Sequence, residues 1–416
     1  MYANGGSSVN CTFTVTLNGA LRLNAIEAAL LKLQTKHPLL RAAIEEDKEG
    51  MPWFVIGDKA PAIPIRIKER QSDEDWVAET TRQFHTSFAL QQAPLARLVW
   101  IKSDTVSDLM IVLPHCICDG TTIINLMQEL LEHLDNPDAG VVPYTSFTSV
   151  TELIPEASLP DKKAIQKAKT FSRLATVLLT LKTLGGKATP NKNYMLRWQL
   201  DKDLSGQIVD WCKSKGINIH AAVGLAFLRA FRKVKGTQAR NKLICPVDIR
   251  RYVDGIRTDT MFAFAPIVEL SPDKHKEPDF PDQAKALKEE LQKKVQALNG
   301  CEMLAASEYF HPAVKKMVKL LKTSKGSHDI TFSNVGIIPL REHYNTFEVL
   351  NAYSPNAAFP WRNPNTLVIS SFAGRIDFTF LSEEGFLPYG QAVAIRDAAM
   401  AELYRYSKEG VVLNEA

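Results

Sequence analysis

Residues 109–120 read LMIVLPHCICDG. The apolar run Leu109 to Leu113 has the length and composition of a buried strand. A strand alone explains neither His115 nor the Asp119 and Gly120 set at a fixed distance beyond it. Directly after them, TTIINLMQELLEHL places Ile123, Ile124, Met127, Leu130, Leu131 and Leu134 at offsets of one, three and four, the stripe of a helix packed on a sheet. Strand, motif and amphipathic helix in direct succession predict an α/β layer that carries a histidine on the loop between its elements.

Working outward, CTFTVTLNG at 11–19 alternates as a strand does, and the segment from Leu21 has helical spacing with a stop at His37-Pro38. Strands are expected around Ala96–Lys102 and Asp108–Leu113, joined by the polar turn SDTVSD. From Asp135 to about Asn193 the chain is rich in Pro, Ser, Thr and Lys, which places the domain linker there. A second round comes next: YMLRWQL as strand, SGQIVDWCKSKG and INIHAAVGLAFLRAFRKV as helices, NKLICPVDIRR as strand. Helices at Phe280–Leu298 and near Pro312–Lys325, and strands in DITFSNVG and TLVISSFAGRIDFTFL, complete it. The expectation is two α/β domains, 1–185 and 186–416.

A length of 416 residues suits two domains of about 200 residues each. Hydrophobic residues at 45% and charged residues at 23% are the balance of a folded soluble protein. A net charge of +4 falls short of a dedicated nucleic-acid binder, so no nucleic-acid partner is expected. The start has no apolar secretion signal. In Phe171–Gly186, Arg173 and Lys182 bracket too short an apolar run to span a membrane, and a buried or surface-docked helix is expected. The six cysteines form no CxxC pair, as in a reduced, cytoplasmic protein.

A histidine at a strand end, with an unperturbed pKa near neutrality, suits general-base work on an alcohol or amine that attacks an activated carbonyl. Asp119 reads as structural, because a buried carboxylate needs a cationic partner, and Arg250 in PVDIRRY is the candidate. Gly120 would let the backbone turn into the helix, whose free N–H groups could face an oxyanion. Cys116 and Cys118 tempt a metal site or a thiol nucleophile, but residues so close on one loop do not wrap that way, and no metal is expected. His37 and His220 read as structural. Lysine runs such as Lys315, Lys316 and Lys319 are either a solvated helix face or a docking site for an anion.

The chain resembles the chloramphenicol acetyltransferase-like superfamily of acyltransferases, which includes peptide-synthetase condensation domains, BAHD enzymes and polyketide-associated acyltransferases. The likeness rests on TLNGALRLNAIEAALLKLQTKHPLLRAAI, APLARLVW, PHCICDGTT, INIHAAVGLAFLRAF, PVDIRR and ITFSNVG, in order along nearly the whole chain. It implies two similar α/β domains in a V with a tunnel between them. His115 matches the catalytic histidine, Asp119 the structural aspartate, Arg250 its partner, and Ser333 and Asn334 a tunnel-lining patch. Pro114 stands where condensation domains usually carry a second histidine, and no DFGWG is present, so freestanding alcohol O-acyltransferases look nearer. The resemblance implies transfer of an acyl group from acyl-CoA or an acyl carrier protein to a hydroxyl, by a monomer without a tightly bound cofactor. It would make an anion docked at Lys315, Lys316 and Lys319 the phosphate of that acyl donor. Amide formation on an amine acceptor and a non-catalytic carrier-protein recruitment module are the alternatives.

Overall fold

A computed structural model of the protein describes residues 9–57, 60–182, 192–261, 263–272 and 279–412. The first half runs β1 (Asn10–Asn18), α1 (Leu23–Lys36), β2 (Ala42–Glu46), β3 (Pro52–Ile56), β4 (Ile65–Glu69), α2 (Asp75–His85), β5 (Arg97–Lys102), β6 (Val106–Pro114) and α3 (Gly120–Asp135). After α4 (Lys162–Lys182), the second half begins with β7 (Asn193–Gln199), α5 (Lys202–Ser214), α6 (Ile219–Lys235), β8 (Leu243–Pro246) and β9 (Ile267–Leu270). It continues through α7 (Phe280–Gln296), α8 (Gly300–Tyr309), α9 (His311–Thr323), β10 (Ile330–Ile337), β11 (Glu348–Ala352) and β12 (Asn356–Ala357). It closes with β13 (Thr366–Phe372), β14 (Arg375–Glu383) and α10 (Tyr389–Val412).

The continuous apolar run of β6 stems from its place inside the first sheet, ordered β11-β1-β6-β5-β4. Leu109, Ile111 and Leu113 face the core under α1 and α3, while Met110 and Val112 pack with Trp76 of α2 and Val99 and Ile101 of β5. Neither face of β6 meets water, so neither can be polar. The stripe of α3 closes the first of these cores: Ile123, Met127, Leu130 and Leu131 are fully buried. At roughly 2 kcal/mol for each such side chain, packing outweighs the cap of about 1 kcal/mol that starts the helix.

The second sheet is ordered β7-β14-β13-β10-β8-β9, with β8, β10 and β13 parallel. Phe227 and Phe231 of α6, Phe378 and Phe380 of β14, and Ile395 and Leu403 of α10 fill its core. The two halves interlock. β11 and β12 come from the second half of the sequence yet both pair with β1, in registers that include Val15↔Ala352 and Cys11↔Ala357. Between the sheets, Tyr353 stacks on Trp76 at 3.9 Å, Arg197 lies 4.5 Å over Tyr353, and Arg197 pairs with the fully buried Asp377 at 3.0 Å.

Two α/β lobes therefore stand as the sequence implies, with local differences. α4 starts at Lys162, nine residues before the expected helix, and Phe171, Leu174 and Leu178 lie at least half exposed on it. The strand expected in NKLICPVDIRR ends at Pro246, and Arg250–Tyr252 forms a single 3₁₀ turn. The expected division at 185/186 lies outside the described residues. Among the described residues no helix is long and apolar enough to cross a membrane.

Candidate active site

The helix start supplies the frame. Asp119 is the N-cap of α3, with extended backbone, and its Oδ1 accepts the Thr122 N–H at 2.9 Å. The same carboxylate receives Arg250 bidentately, Nη1 to Oδ2 at 2.6 Å and Nη2 to Oδ1 at 3.1 Å. Arg250 is 5% exposed and Asp119 14%. Arg250 also donates to Thr122 Oγ1 at 2.9 Å and reaches Asp248 Oδ1 at 3.3 Å, while Thr121 Oγ1 donates to Asp248 Oδ2 at 2.9 Å. Burial works against the guanidinium charge, but Asp119 and Asp248 hold its pKa above the ordinary value. The loop after β6 is thus clamped from the second half of the chain.

His115 sits at the head of that loop. Its backbone N–H donates to the Val9 carbonyl at 2.7 Å, which ties it to the approach to β1. The ring lies 5.4 Å from Phe359, tilted by 42°, and Phe359 stacks on Trp361 at 4.3 Å. Burial depresses the imidazole pKa, yet the Cys11 thiol, the residue's own backbone and the Asp119 charge together raise it. Among the described residues, Nδ1 is buried without a hydrogen-bond partner.

Cys11 answers in kind: burial pushes its thiol up, while Cys118 and the His115 charge bring it down to about 6. Cys118 moves well above the usual thiol range through burial and through Cys11, and burial raises Cys116 to about 12. The neutral form of the His115 ring is the base-competent one. The sequence pattern points only to Cys116 and Cys118. Cys11 is more than a hundred residues away and reaches the histidine through β1–β6 pairing, where it stands opposite Leu113.

Gly120 has no left-handed φ, so the turn does not demand glycine. A Cβ there would stand 3.8 Å from Val335 and 3.9 Å from Pro355, ordinary contact distances, so a methyl fits and a larger side chain meets the second half of the chain. Val335 is the residue after Asn334 on β10, which brings that strand to the start of α3. Asn334 Oδ1 accepts the Gly336 N–H at 2.9 Å across a bulge, and Ser333 is partly buried beside it.

The other sequence candidates lie on separate elements. Lys315, Lys316 and Lys319 lie on α9, where Lys315 pairs with Glu46 at 3.4 Å in an exposed contact. His37 is buried at the end of α1 and bonded to Glu129 at 2.6 Å. His220 stacks on Phe332 at 4.6 Å, and burial pushes it down to about 4. Among the described residues no group of three or more His, Cys, Asp or Glu has the arrangement to hold a metal.

Residues 1–238 match the family model described as condensation domain. One of the plipastatin synthase proteins of Bacillus subtilis (strain 168) is 31% identical over 134 residues, 32% of this chain and 5% of that relative. Gramicidin S synthase 2 of Brevibacillus brevis is 27% identical over 177 residues, 42% of this chain and 4% of that relative. The chain spans one-twentieth or less of either relative. Among solved structures, the trichothecene 15-O-acetyltransferase TRI3 of Fusarium sporotrichioides superposes with a TM-score of 0.71 at 13% identity, covering 97% of this chain and 92% of that one. Polyketide synthase associated protein 5 from Mycobacterium tuberculosis gives 0.66 at 16% identity, covering 96% and 94%. At these identities the superpositions speak for the fold alone.

Proposed function

Because the chain belongs to the condensation-domain family, we propose that it transfers an acyl group from a pantetheine thioester, acyl-CoA or acyl carrier protein, to a hydroxyl, with His115 as general base. The observation that carries this reading is the clamp: a histidine on the loop between β6 and α3, held by the bidentate Asp119–Arg250 pair from the other half of the chain. A recruitment module needs neither a tuned imidazole nor a fixed loop. The two protein domains of the proposal are 1–185 and 186–416, with the acceptor and donor meeting at His115 where the lobes adjoin.

In the proposed reaction the neutral imidazole takes the acceptor's hydroxyl proton as the oxygen attacks the thioester carbonyl. The Asp119 side chain and carbonyl serve the Thr122 and Ile123 N–H groups, so Gly120 and Thr121 N–H at the helix start remain for the oxyanion, with Ser333 or Asn334 as a side-chain donor. Collapse breaks the C–S bond, and the imidazolium returns its proton to the departing pantetheine sulfur. Atoms and charge balance without a metal or covalent enzyme intermediate.

Amide formation is the second reading, favoured by a relative named a nonribosomal peptide synthetase, kk1B of Curvularia clavata. The same base serves an amine. Mass spectrometry of products from a panel of acyl-CoAs and acyl-carrier proteins, each offered mixed alcohols and amines, decides between them. A histidine-dependent ester supports the proposal, and an amide promotes the second reading. Equal turnover by a folded His115→Ala protein removes the histidine from the chemistry.

A further inference from the structure

The parallel strands β8, β10 and β13 start at a common end of the second sheet and open there onto a cavity of about 790 Å³. Val335, which meets Gly120, lies six residues further along β10 than Asp329 on the cavity wall, roughly 20 Å at the rise of a strand. The cavity is therefore separate from the His115 loop. Its volume falls in the range of sites for small organic molecules.

Its wall is strongly cationic. Among the described residues, Lys235, Arg240, Lys242, Lys325 and Arg362 line it, against one carboxylate, Asp329. That carboxylate is already committed: it accepts the Arg240 N–H at 2.9 Å and the Asn241 N–H at 2.6 Å, curling the 240–242 loop around it with Asn241 at a φ of 58°. Lys242 pairs with Glu269 at 2.6 Å, and Lys235 lies 5.7 Å over the Phe386 ring. Arg240, Lys325 and Arg362 form no ion pair among the described residues. Thr237, Gln238 and Ser327 add neutral hydrogen-bonding groups.

The wall is also built in advance of any ligand. Asn363 Nδ2 donates to the His328 carbonyl at 2.9 Å, Asn365 Nδ2 to the Asp329 carbonyl at 2.8 Å, and the Arg362 N–H to the Leu321 carbonyl at 2.8 Å. Three chain segments are thus stitched together so that their cations converge on a hollow. Lys315, Lys316 and Lys319, by contrast, lie along one helix. Like charges held together this way repel unless an anion joins them. Arginine forks match phosphate oxygens bidentately, and the space beyond them exceeds what inorganic phosphate fills.

We propose that this cavity binds a phosphate-bearing nucleotide, with Arg240, Lys325 and Arg362 as the phosphate ligands. Two sources share that chemistry, the nucleotide end of an acyl-CoA donor and a free nucleotide. Only the first rests on the acyl-transfer reading.

The test is calorimetric titration of the whole protein, at low salt, with adenosine 3′,5′-bisphosphate, CoA, ATP and inorganic phosphate. Saturable one-to-one nucleotide binding is expected, weakening with salt. Arg240→Ala and Arg362→Ala should each weaken it about tenfold, as loss of one charge-assisted hydrogen bond does, with exposed Lys325→Ala as a variant of low folding risk. His115→Ala should bind as the parent does. If CoA competes with the bisphosphate and the cavity variants raise the KM for acyl-CoA without changing kcat, the donor is the source. If ATP binds and CoA does not compete, a free nucleotide is.

Three results overturn the proposal: no saturable nucleotide binding at millimolar concentration, binding untouched by the folded Arg240→Ala/Arg362→Ala protein, or inorganic phosphate binding as tightly as any nucleotide. None of these readouts needs product formation, so a failure of acyl transfer leaves the binding result standing.

Discussion

Replacing Asp119 first by asparagine and then by alanine separates two functions of one carboxylate. Asparagine still accepts the Thr122 N–H, so Asp119→Asn keeps the helix cap and loses only the ion pair. Removing one partner of a buried pair costs about 3–5 kcal/mol. Arg250 retains Thr122 and Asp248, which puts the expected loss near the lower end, about 3 kcal/mol for Asp119→Asn. Asp119→Ala gives up the cap as well and should lose about 4 kcal/mol. Arg250→Met strands the carboxylate and should also cost about 3 kcal/mol. The double variant Asp119→Asn/Arg250→Met leaves neither charge behind, so its loss should fall at least about 2 kcal/mol short of the sum. Urea denaturation reads all four through their midpoints at constant slope. Equal losses for asparagine and alanine would dismiss the cap, and an additive double variant would dismiss the pair.

Other expectations rest on the same contacts. Cys11→Ala removes the largest influence holding the His115 pKa up, leaving burial to lower it, so the rising limb of the pH–rate profile should move to lower pH; an unmoved limb refutes the coupling. Gly120→Ala should change stability by no more than about 0.5 kcal/mol, while Gly120→Phe, driven into Val335 and Pro355, should lower turnover by more than tenfold. Arg197→Met leaves buried Asp377 without its cation and should cost about 3 kcal/mol at neutral pH. Burial already raises the Asp377 pKa above its unfolded value, so the folded state takes the proton first and that deficit should shrink as pH falls through the carboxylate range. Urea midpoints at two pH values check it.

The β6–loop–α3 unit was legible because burial on both faces of a strand and on one stripe of a helix writes two distinct periods into the sequence. That Asp119 needs a cationic partner was legible because a charge between apolar elements demands one, while the choice of Arg250 leaned on the family resemblance. α2 was not, since Glu79, Thr80 and Gln83 are buried on it and invert the usual pattern, leaving Trp76 as its main apolar anchor. The early start of α4 was hidden by its lysines, which are sound helix formers but mimic a linker beside Pro and Ser. Phe359, beside the His115 ring, and Trp361, stacked on Phe359, come from an irregular stretch that carries no period at all. The Cys11–His115 approach depends on strand register, which a single chain does not spell out.

The pairing of β11 and β12 with β1 also sets an order of events during synthesis. A nascent chain that has released residues up to about 340 already contains β1, β4, β5 and β6, but the outer flank of β1 stays bare until residues 348–357 arrive. That flank is an open ladder of N–H and C=O groups beside buried apolar positions, the kind of edge that recruits foreign strands. The first lobe is thus an unfinished object until that stretch emerges, and the bare edge stays open to foreign strands until a segment more than 300 residues downstream comes back to close it.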